Sequence, residues 1–464
     1  MLWGFFSPFN QSIMFRNSYY RIKTDAGNNT VLYYSTRSGE TIALESDTAA
    51  VYESEDYDSL PENIFSKLLS TYLIVPNQEN ELEEIIQENK NATLDSKTLY
   101  QVIQPTANCQ LGCGYCGQNH TKALLNDGQM DAIFERLKYK LENENAFDTL
   151  EIGWFGAEPL MALSNIKSLT PRLKELADKH NLWYSSKMVT NGLSLKLNVF
   201  LDLVKNHHIR FFEITLDGTE EYHDKRRFLK SGEKSYKIIM DNLISILNHE
   251  GFDQLNASIS IRCNVDKMND EAAILLIDEL KNLGLHKKIT NFYVAPIHSW
   301  GNDAHLKSLE VENFADKEIE WLMYCLKNEF KSGTILPHRK KQTCMAVDPK
   351  AELVDAYGNI YNCTEISYVP TYDDAGYILG NLSTLSPDDL LPKRDFIDWY
   401  DLIKENKSNS PCHTCKILPI CGGACPKTWK EGIFSCPPIK FNIEDRVALS
   451  YLISQKGAEI FETF

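Results

Sequence analysis

A chain of 464 residues, 43% hydrophobic and 24% charged, has the composition of a folded protein with room for about two to three domains, which excludes intrinsic disorder. Its formal net charge of −16 argues against a protein built to bind nucleic acid or an anionic membrane, because neutralising phosphates requires clustered Lys and Arg. No run approaches the roughly 18 apolar residues of a membrane span, and the opening Met1-Leu-Trp-Gly-Phe-Phe lacks a basic n-region and a cleavage site, so a cytoplasmic location is expected.

The first segment alternates in strand fashion over Tyr19 to Ile22, Val31 to Tyr34 and Thr41 to Leu44, with turn signals at residues 26–29 and at Ser38-Gly39. Helical patterns follow from Asp47, a candidate N-cap, and from Pro61, where Ile64, Phe65, Leu68 and Leu69 share one face. A short apolar run, Tyr72 to Val75, precedes Glu79 to Asn89, which reads as a charged connecting helix. This order fits a small winged-helix-like α+β module over residues 1–95.

From Tyr100 apolar strands alternate with amphipathic helices. The strands are Tyr100 to Gln104, Leu150 to Phe155, Lys187 to Val189, Phe211 to Leu216, Ala257 to Cys263 and Phe292 to Pro296. The helices between them are Met130 to Leu141, Ile166 to Ala177, Val199 to Val204, Ile238 to Leu247 and Ala272 to Leu280. Such alternation predicts a parallel sheet with right-handed crossovers over residues 96–330, in which reactive groups collect at the C-terminal strand ends. Beyond about residue 330 the periodicity gives way to turns and cysteines, the pattern of a small metal-stapled unit over residues 331–464; Ile443 to Phe464 reads as a closing helix.

Ten of the twelve cysteines fall into two groups, while Cys263 and Cys325 lie in a strand-like and a helix-like run and read as buried hydrophobes. The first group is Cys109-X3-Cys113-X2-Cys116, just after the first barrel strand. Three thiolates without a fourth suit structural zinc poorly, since zinc closes with four ligands. A [4Fe–4S] cluster held by three thiolates and keeping one iron free suits them better. This spacing resembles the radical S-adenosylmethionine (radical SAM) superfamily, and the resemblance implies an open, partial (β/α)6 TIM-type barrel.

It also implies a set of cofactor contacts. Gly156-Ala157-Glu158-Pro159 matches the family's Gly-Gly-Glu-Pro except at Ala157, and Glu158 is implied to accept from the methionyl amine. Asn191 and Thr215, with Thr190 and Asp217 beside them, are implied to contact the ribose, Arg262 the methionyl carboxylate and Tyr115 the adenine. The segment Tyr222-His223-Asp224 with Arg227 resembles one in the peptide-modifying branch. The chemistry implied is reductive cleavage of S-adenosylmethionine by the cluster and hydrogen abstraction by a 5′-deoxyadenosyl radical, with the protein orienting the cofactor.

The second group is Cys344, Cys363, Cys412-X2-Cys415-X5-Cys421-X3-Cys425 and Cys436. Cys412-X2-Cys415 alone would suit a zinc knuckle, but the full order resembles the SPASM domain, which carries two auxiliary [4Fe–4S] clusters and brings the total to three. By that resemblance Cys344, Cys363 and Cys425 hold an inner cluster, whose fourth position falls to Asp348, Glu352 or a substrate thiolate, and Cys412, Cys415, Cys421 and Cys436 hold an outer one. Gly358 is expected to turn a hairpin that returns Cys363 toward Cys344.

The N-terminal pattern is similar to the peptide-recognition element of radical enzymes that modify ribosomal peptides. The implied function is therefore a peptide maturase acting on a ribosomal precursor, whose leader the N-terminal module binds. It would form a thioether or carbon–carbon crosslink and draw electrons from an external reductant such as flavodoxin or ferredoxin. A formylglycine-forming sulfatase maturase is the alternative, but its base, an aspartate directly after the second auxiliary cysteine, is replaced by Thr364, with Glu365 next. Epimerisation is the less favoured alternative, because it requires a hydrogen donor, a role open to Cys263 or Cys325 only if one of them faces the cavity. An iron–sulfur electron carrier or scaffold is the non-enzymatic alternative.

Overall fold

The apolar runs from Tyr100 onward form one sheet. This computed structural model describes residues 14–144, 147–298, 300–331, 335–373, 375–389, 391 and 394–456; residues 1–13 of the expected N-terminal module and the last eight residues of the expected closing helix lie outside them. The N-terminal unit comprises β1 (Phe15–Asn17), β2 (Arg21–Gly27), β3 (Thr30–Ser35), β4 (Thr41–Glu45), α1 (Ser46–Glu53), α2 (Glu62–Ser70), β5 (Ile74–Pro76) and α3 (Glu81–Leu94). The barrel runs through β6 (Thr98–Ile103), α4 (Asp127–Asn143), β7 (Thr149–Trp154), α5 (Leu163–Lys179), β8 (Trp183–Thr190), α6 (Leu197–Lys205) and β9 (Phe211–Thr215). It continues with α7 (Glu220–Arg226), α8 (Tyr236–Leu247), β10 (Ser258–Val265), α9 (Ala272–Asn282), β11 (Asn291–Pro296) and α10 (Val311–Lys327).

Strands β6 to β11 lie side by side in sequence order, each parallel to the next. Their outward side chains, such as Ile152, Phe212 and Ile261, pack beneath Leu137, Leu173, Leu203, Leu243 and Leu276 of the helices, all essentially inaccessible to solvent. The sheet does not close. At the β6 edge it continues through β12 (Glu352–Val354), β13 (Asn359–Tyr361) and β14 (Gly380–Asn381), so the cysteine-rich region extends the barrel sheet. The turn between β12 and β13 uses Gly358 at φ +81°, with Asp355 accepting from the amides of Tyr357 and Asn359.

Three expectations need correction. The first helix starts at Ser46, with Glu45 rather than Asp47 at its N-cap. Helix α3, expected over Glu79 to Asn89 as a charged connector, is more than that: Ile85 and Ile86 are buried in a cluster with Trp399 and Ile403 of α11 (Trp399–Lys404). Glu352, proposed as a cluster ligand, is fully buried and holds Arg136, Lys140 and Arg394 at 2.8–2.9 Å. Burial opposes its charge, but Lys140, Arg136 and Arg394 hold the carboxyl far below the usual range. A carboxylate engaged by three cations is a fastener between α4 and the C-terminal region. The remaining helices, α12 (Leu418–Cys421), α13 (Pro426–Lys430) and α14 (Ile439–Lys456), follow the cysteines; Ile443 and Val447 of α14 pack on Ile22, Leu32 and Tyr34 of the N-terminal sheet.

Candidate active site

The chain leaving β6 carries the first cysteine group across the C-terminal ends of the strands. It is zipped onto residues 226–230, with Gly112 N donating to Phe228 O at 2.8 Å, Gly114 N to Arg226 O at 2.9 Å and Lys230 N to Gln110 O at 2.9 Å. Gly117 passes so close to Trp300 that a Cβ there would stand 1.8 Å from the Trp300 carbonyl oxygen. Cys109 is buried, Cys113 half-buried and Cys116 exposed, and all three line one cavity of about 390 Å³, a volume typical of small-molecule sites. Burial, assisted by Glu158, pushes the Cys109 thiol up to about 12. Such a thiol stays neutral unless a metal centre takes the place of its proton.

Among the described residues no three His, Cys, Asp or Glu groups converge on a point as a single ion would need. A cubane cluster takes each ligand at a different iron, which suits thiols spread along a cavity wall. An orphaned buried donor supports the fit: Arg227, 7% exposed, lines the cavity with its Nε unpaired. Although burial opposes its charge, Cys113, Tyr115 and Asp217 hold the guanidinium well above its ordinary pKa. A buried cation with a free N–H beside three thiols suits an anionic cluster and a carboxylate.

Glu158 follows β7. Gly156 has φ +111°, and a Cβ on it would fall 2.9 Å from Gln104 Cβ, so glycine is needed there; Ala157 does not take a positive φ, and the departure from Gly-Gly-Glu-Pro carries no backbone strain. Glu158 is fully buried and accepts from Leu160 N (3.0 Å) and Thr190 Oγ1 (2.7 Å) at Oε1 and from Asn191 N (2.8 Å) at Oε2. That leaves acceptor capacity at Oε2 for one more donor. Burial raises this carboxyl, against the three hydrogen bonds. Asn191 Oδ1 accepts from Leu193 N, and its Nδ2 points to Cys109 Sγ at 3.8 Å.

Eleven of the twelve residues singled out for the first cluster and the cofactor line this cavity: Cys109, Cys113, Tyr115, Cys116, Gly156, Ala157, Glu158, Thr190, Asn191, Thr215 and Arg262. Asp217 does not. It is fully buried, and its carboxylate accepts from Tyr115 Oη at 2.7 Å and from Asn264 N and Nδ2 at 3.1 and 3.2 Å. Tyr115 Oη also accepts from Arg227 at 2.7 Å and Asn264 at 3.1 Å, so its ring is locked by three groups. His223 is buried, with Nδ1 accepting from Asp217 N and Nε2 next to Ser235 Oγ, a structural support for that network.

The cavity has a second end that sequence reasoning largely missed. Glu213 and Thr215 on β9, and Arg262 and Asn264 on β10, point inward at i, i+2 spacing. Arg262 bonds Asn264 Oδ1 at 2.8 Å and stands 3.9 Å from Glu213, which takes Tyr293 Oη at 2.7 Å. His298 and Trp300, from the loop after β11, and Glu365, two residues after Cys363, complete this wall. Burial raises the Glu365 carboxyl, while Arg262 acts against it. The polar inward alternation on β9 and β10 was the signal available in the sequence. Cys263 and Cys325, both buried, are absent from the cavity wall, so neither can donate hydrogen there.

The remaining cysteines fall into two sets by their mutual influence. Burial raises Cys363 well above its ordinary pKa, with Glu365, Cys344 and Cys425 adding to the effect. Burial likewise pushes Cys412 up to about 12, with Cys421, Cys415 and Cys436 as its charged neighbours. A Gly422-Gly423-Ala424 turn, with φ of +74°, +99° and +59°, joins Cys421 to Cys425 and so one set to the other. Asp348 stays near Cys344 in sequence, but its carboxylate accepts from Lys350 N and Gln342 Nε2.

Residues 103–280 match the family model described as the radical SAM superfamily. Among curated proteins the chain is 24% identical over 367 residues to an uncharacterized protein of Synechocystis, covering 72% of this chain and 85% of that one. It is 21% identical over 362 residues to the serine-type anaerobic sulfatase-maturating enzyme of Bacteroides thetaiotaomicron, covering 72% and 83%. The solved structure of native anSMEcpe with bound AdoMet and Cp18Cys peptide shares the fold, with TM-score 0.55 at 17% identity over 77% of this chain and 97% of that one. With six parallel strand–helix units and the three-cysteine loop at their C-terminal ends, the chain carries a radical SAM domain over residues 103–280.

Proposed function

We propose that the protein is a radical SAM peptide maturase with two auxiliary clusters, which modifies a ribosomal precursor peptide by forming a thioether or carbon–carbon crosslink. The observation that carries this reading is the cavity itself: its lining includes both Cys109, Cys113 and Cys116 and Glu365, two residues from Cys363. A substrate between them would meet both the radical centre and the inner auxiliary set. When bound, the cluster and S-adenosylmethionine supply one-electron C–S cleavage and a hydrogen-abstracting radical.

The chain's own residues hold and orient. Cys109, Cys113 and Cys116 ligate the first cluster, and the remaining acceptor site of Glu158 takes the methionyl amine. Arg227, which stands with Cys113, suits the methionyl carboxylate better than Arg262, whose neighbours are Glu213, Tyr293 and Glu365. Arg262 then faces substrate. Asn191 and Thr215 remain for the ribose and Tyr115 for the adenine, while Thr190 buttresses Glu158. Cys344, Cys363 and Cys425 hold the inner auxiliary cluster and Cys412, Cys415, Cys421 and Cys436 the outer one. Residues 1–95 receive the leader, which the edge of β4, unpaired among the described residues, supports. A flavodoxin- or ferredoxin-type carrier supplies the electron.

A second reading, formylglycine formation, is favoured by two findings. Glu365 brings to the cavity a carboxylate that Thr364 lacks, and relatives of the chain bear the sulfatase-maturating name. Anaerobic coexpression with each small peptide encoded beside the gene, followed by mass spectrometry, separates the two. A crosslink removes two hydrogens and leaves no aldehyde; a seryl-derived formylglycine removes two hydrogens and is captured by a hydrazine. An aldehyde product, or a product exchanged only at Cα in D2O, would overturn the crosslinking proposal.

A further inference from the structure

We infer that the exposed face around Cys412, Cys415, Cys421 and Cys436 is the docking surface of an acidic one-electron carrier protein, seated on Lys340, Lys416 and Lys440 and on the aromatic pair Phe434 and Phe441. The inference rests on the outer-cluster assignment made above and adds the partner's chemistry and the residues that receive it.

The charge distribution carries the argument. The chain as a whole has net charge −16, yet from Cys412 to Lys440 four lysines face a single acidic residue, Glu431. Lys427 is buried and bonds Glu431 at 2.8 Å, and Lys430 pairs with Asp395. Lys416 and Lys440, joined by Lys340 from the preceding segment, pair with no carboxylate among the described residues. Lys440 Nζ is 3.4 Å from Cys436 Sγ, Lys416 follows Cys415 in the chain, and the Lys340 charge acts on Cys421 while its backbone N donates to Pro419 O at 2.9 Å. Three unpaired cations gathered on an otherwise acidic molecule form the positive patch that steers an acidic partner.

The apolar part of the surface lies in the same place. Phe434 is 54% and Phe441 36% exposed, their ring centroids are 6.5 Å apart, and the Lys440 ammonium lies 6.0 and 5.8 Å from them. The Lys416 ammonium lies 5.7 Å from the ring centroid of Tyr19, itself 44% exposed. Exposed aromatics flanked by lysines give a contact with an apolar centre and a basic rim, and Glu444 and Asp445 on the next turn of α14 bound it. Cys436, half-buried within the patch, would bring the outer cluster close to the docked carrier, and the Gly422-Gly423-Ala424 turn leads from there to the inner set.

The step expected on docking is a single electron transfer: an anionic flavodoxin hydroquinone becomes the neutral semiquinone, and the outer cluster gains one electron with no proton moved. Stopped-flow bleaching of the reconstituted holoenzyme by an acidic flavodoxin hydroquinone, at low and high salt, tests it. In the Lys340→Glu/Lys416→Glu variant the rate at low salt should fall about tenfold or more and lose its salt dependence. Lys340→Arg/Lys416→Arg should keep the wild-type rate, and dithionite should bleach all three proteins equally. Wild-type flavodoxin kinetics in the charge-reversed protein, or a wild-type rate indifferent to salt, would overturn the docking surface. Iron content and dithionite-driven cofactor cleavage, measured on the same samples, report on the proposed function separately: a wild-type protein lacking the outer irons refutes that assignment, whatever the flavodoxin does.

Discussion

Exchanging the two small residues before Glu158 tests how the Glu158 corner is built. In Gly156→Ala, the new Cβ meets Gln104 Cβ at 2.9 Å and Cγ at 3.0 Å, and the backbone must keep φ at +111°. Gln104 cannot move aside freely, because its own amide is held to Val354 O at 2.9 Å across the junction with β12. Left-handed strain for a non-glycine residue costs about 1–2 kcal/mol, and forcing a methyl into a packed site about 1–3 kcal/mol. The sum is a loss of about 2–5 kcal/mol, which for a unit of this size lowers the Tm by roughly 5–20 °C. Ala157→Gly should change stability by no more than about 1 kcal/mol. Differential scanning fluorimetry of the anaerobic holoenzymes, with S-adenosylmethionine affinity by equilibrium dialysis, measures both. A Gly156→Ala protein with wild-type Tm and affinity, or an Ala157→Gly protein as damaged as Gly156→Ala, would refute this account of the loop.

Glu352→Ala leaves Arg136, Lys140 and Arg394 buried without their anion. Removing one side of a buried ion pair costs about 3–5 kcal/mol, so limited proteolysis should release the C-terminal region from the barrel at temperatures the wild type withstands. His223 provides a pH signature. Burial, with Arg227 acting the same way, lowers its pKa to about 3, so the neutral ring contributes stability that is complete above the unfolded value of about 6.5 and is lost as pH falls toward 3. The loss runs at about 1.4 kcal/mol per pH unit within that window, so the Tm difference between wild type and His223→Gln should shrink from pH 7 to pH 5; a difference independent of pH would refute the assignment.

Much of this molecule is legible in its sequence because the barrel is periodic. Each strand of the parallel sheet sets a row of buried apolar residues against the helices, as Ile259 and Ile261 do on β10, and each helix that covers it shows an apolar face, so the six units can be read locally. The cavity residues were accessible for a related reason: they sit at strand ends, where Gly156, Thr190, Asn191 and Thr215 interrupt the apolar pattern. What escaped depends on partners distant in the chain. Strand β12 has three residues and gains its place only by pairing with β6, some 250 positions earlier. Glu352 looked like a ligand because nothing local announces Arg136, Lys140 and Arg394. Asp217 has the position of a cofactor contact in the chain, but Tyr115 and Asn264 engage its carboxylate and it does not line the cavity. Glu365 stands one position beyond Thr364, where the sequence offers no sign that its side chain reaches the cavity.

The central claim is that Cys109, Cys113 and Cys116 hold a cluster that cleaves S-adenosylmethionine in the cavity lined by Glu158 and Arg227. Its most direct test is 5′-deoxyadenosine formed per chain when the anaerobically reconstituted protein is reduced with dithionite in the presence of S-adenosylmethionine, beside a Cys113→Ala variant. The account predicts product from the wild type, which should carry about twelve irons in three four-iron clusters, and none from the variant, which should keep about eight. A wild-type protein that carries its full iron yet forms no 5′-deoxyadenosine, or a Cys113→Ala protein that forms as much as the wild type, would contradict it.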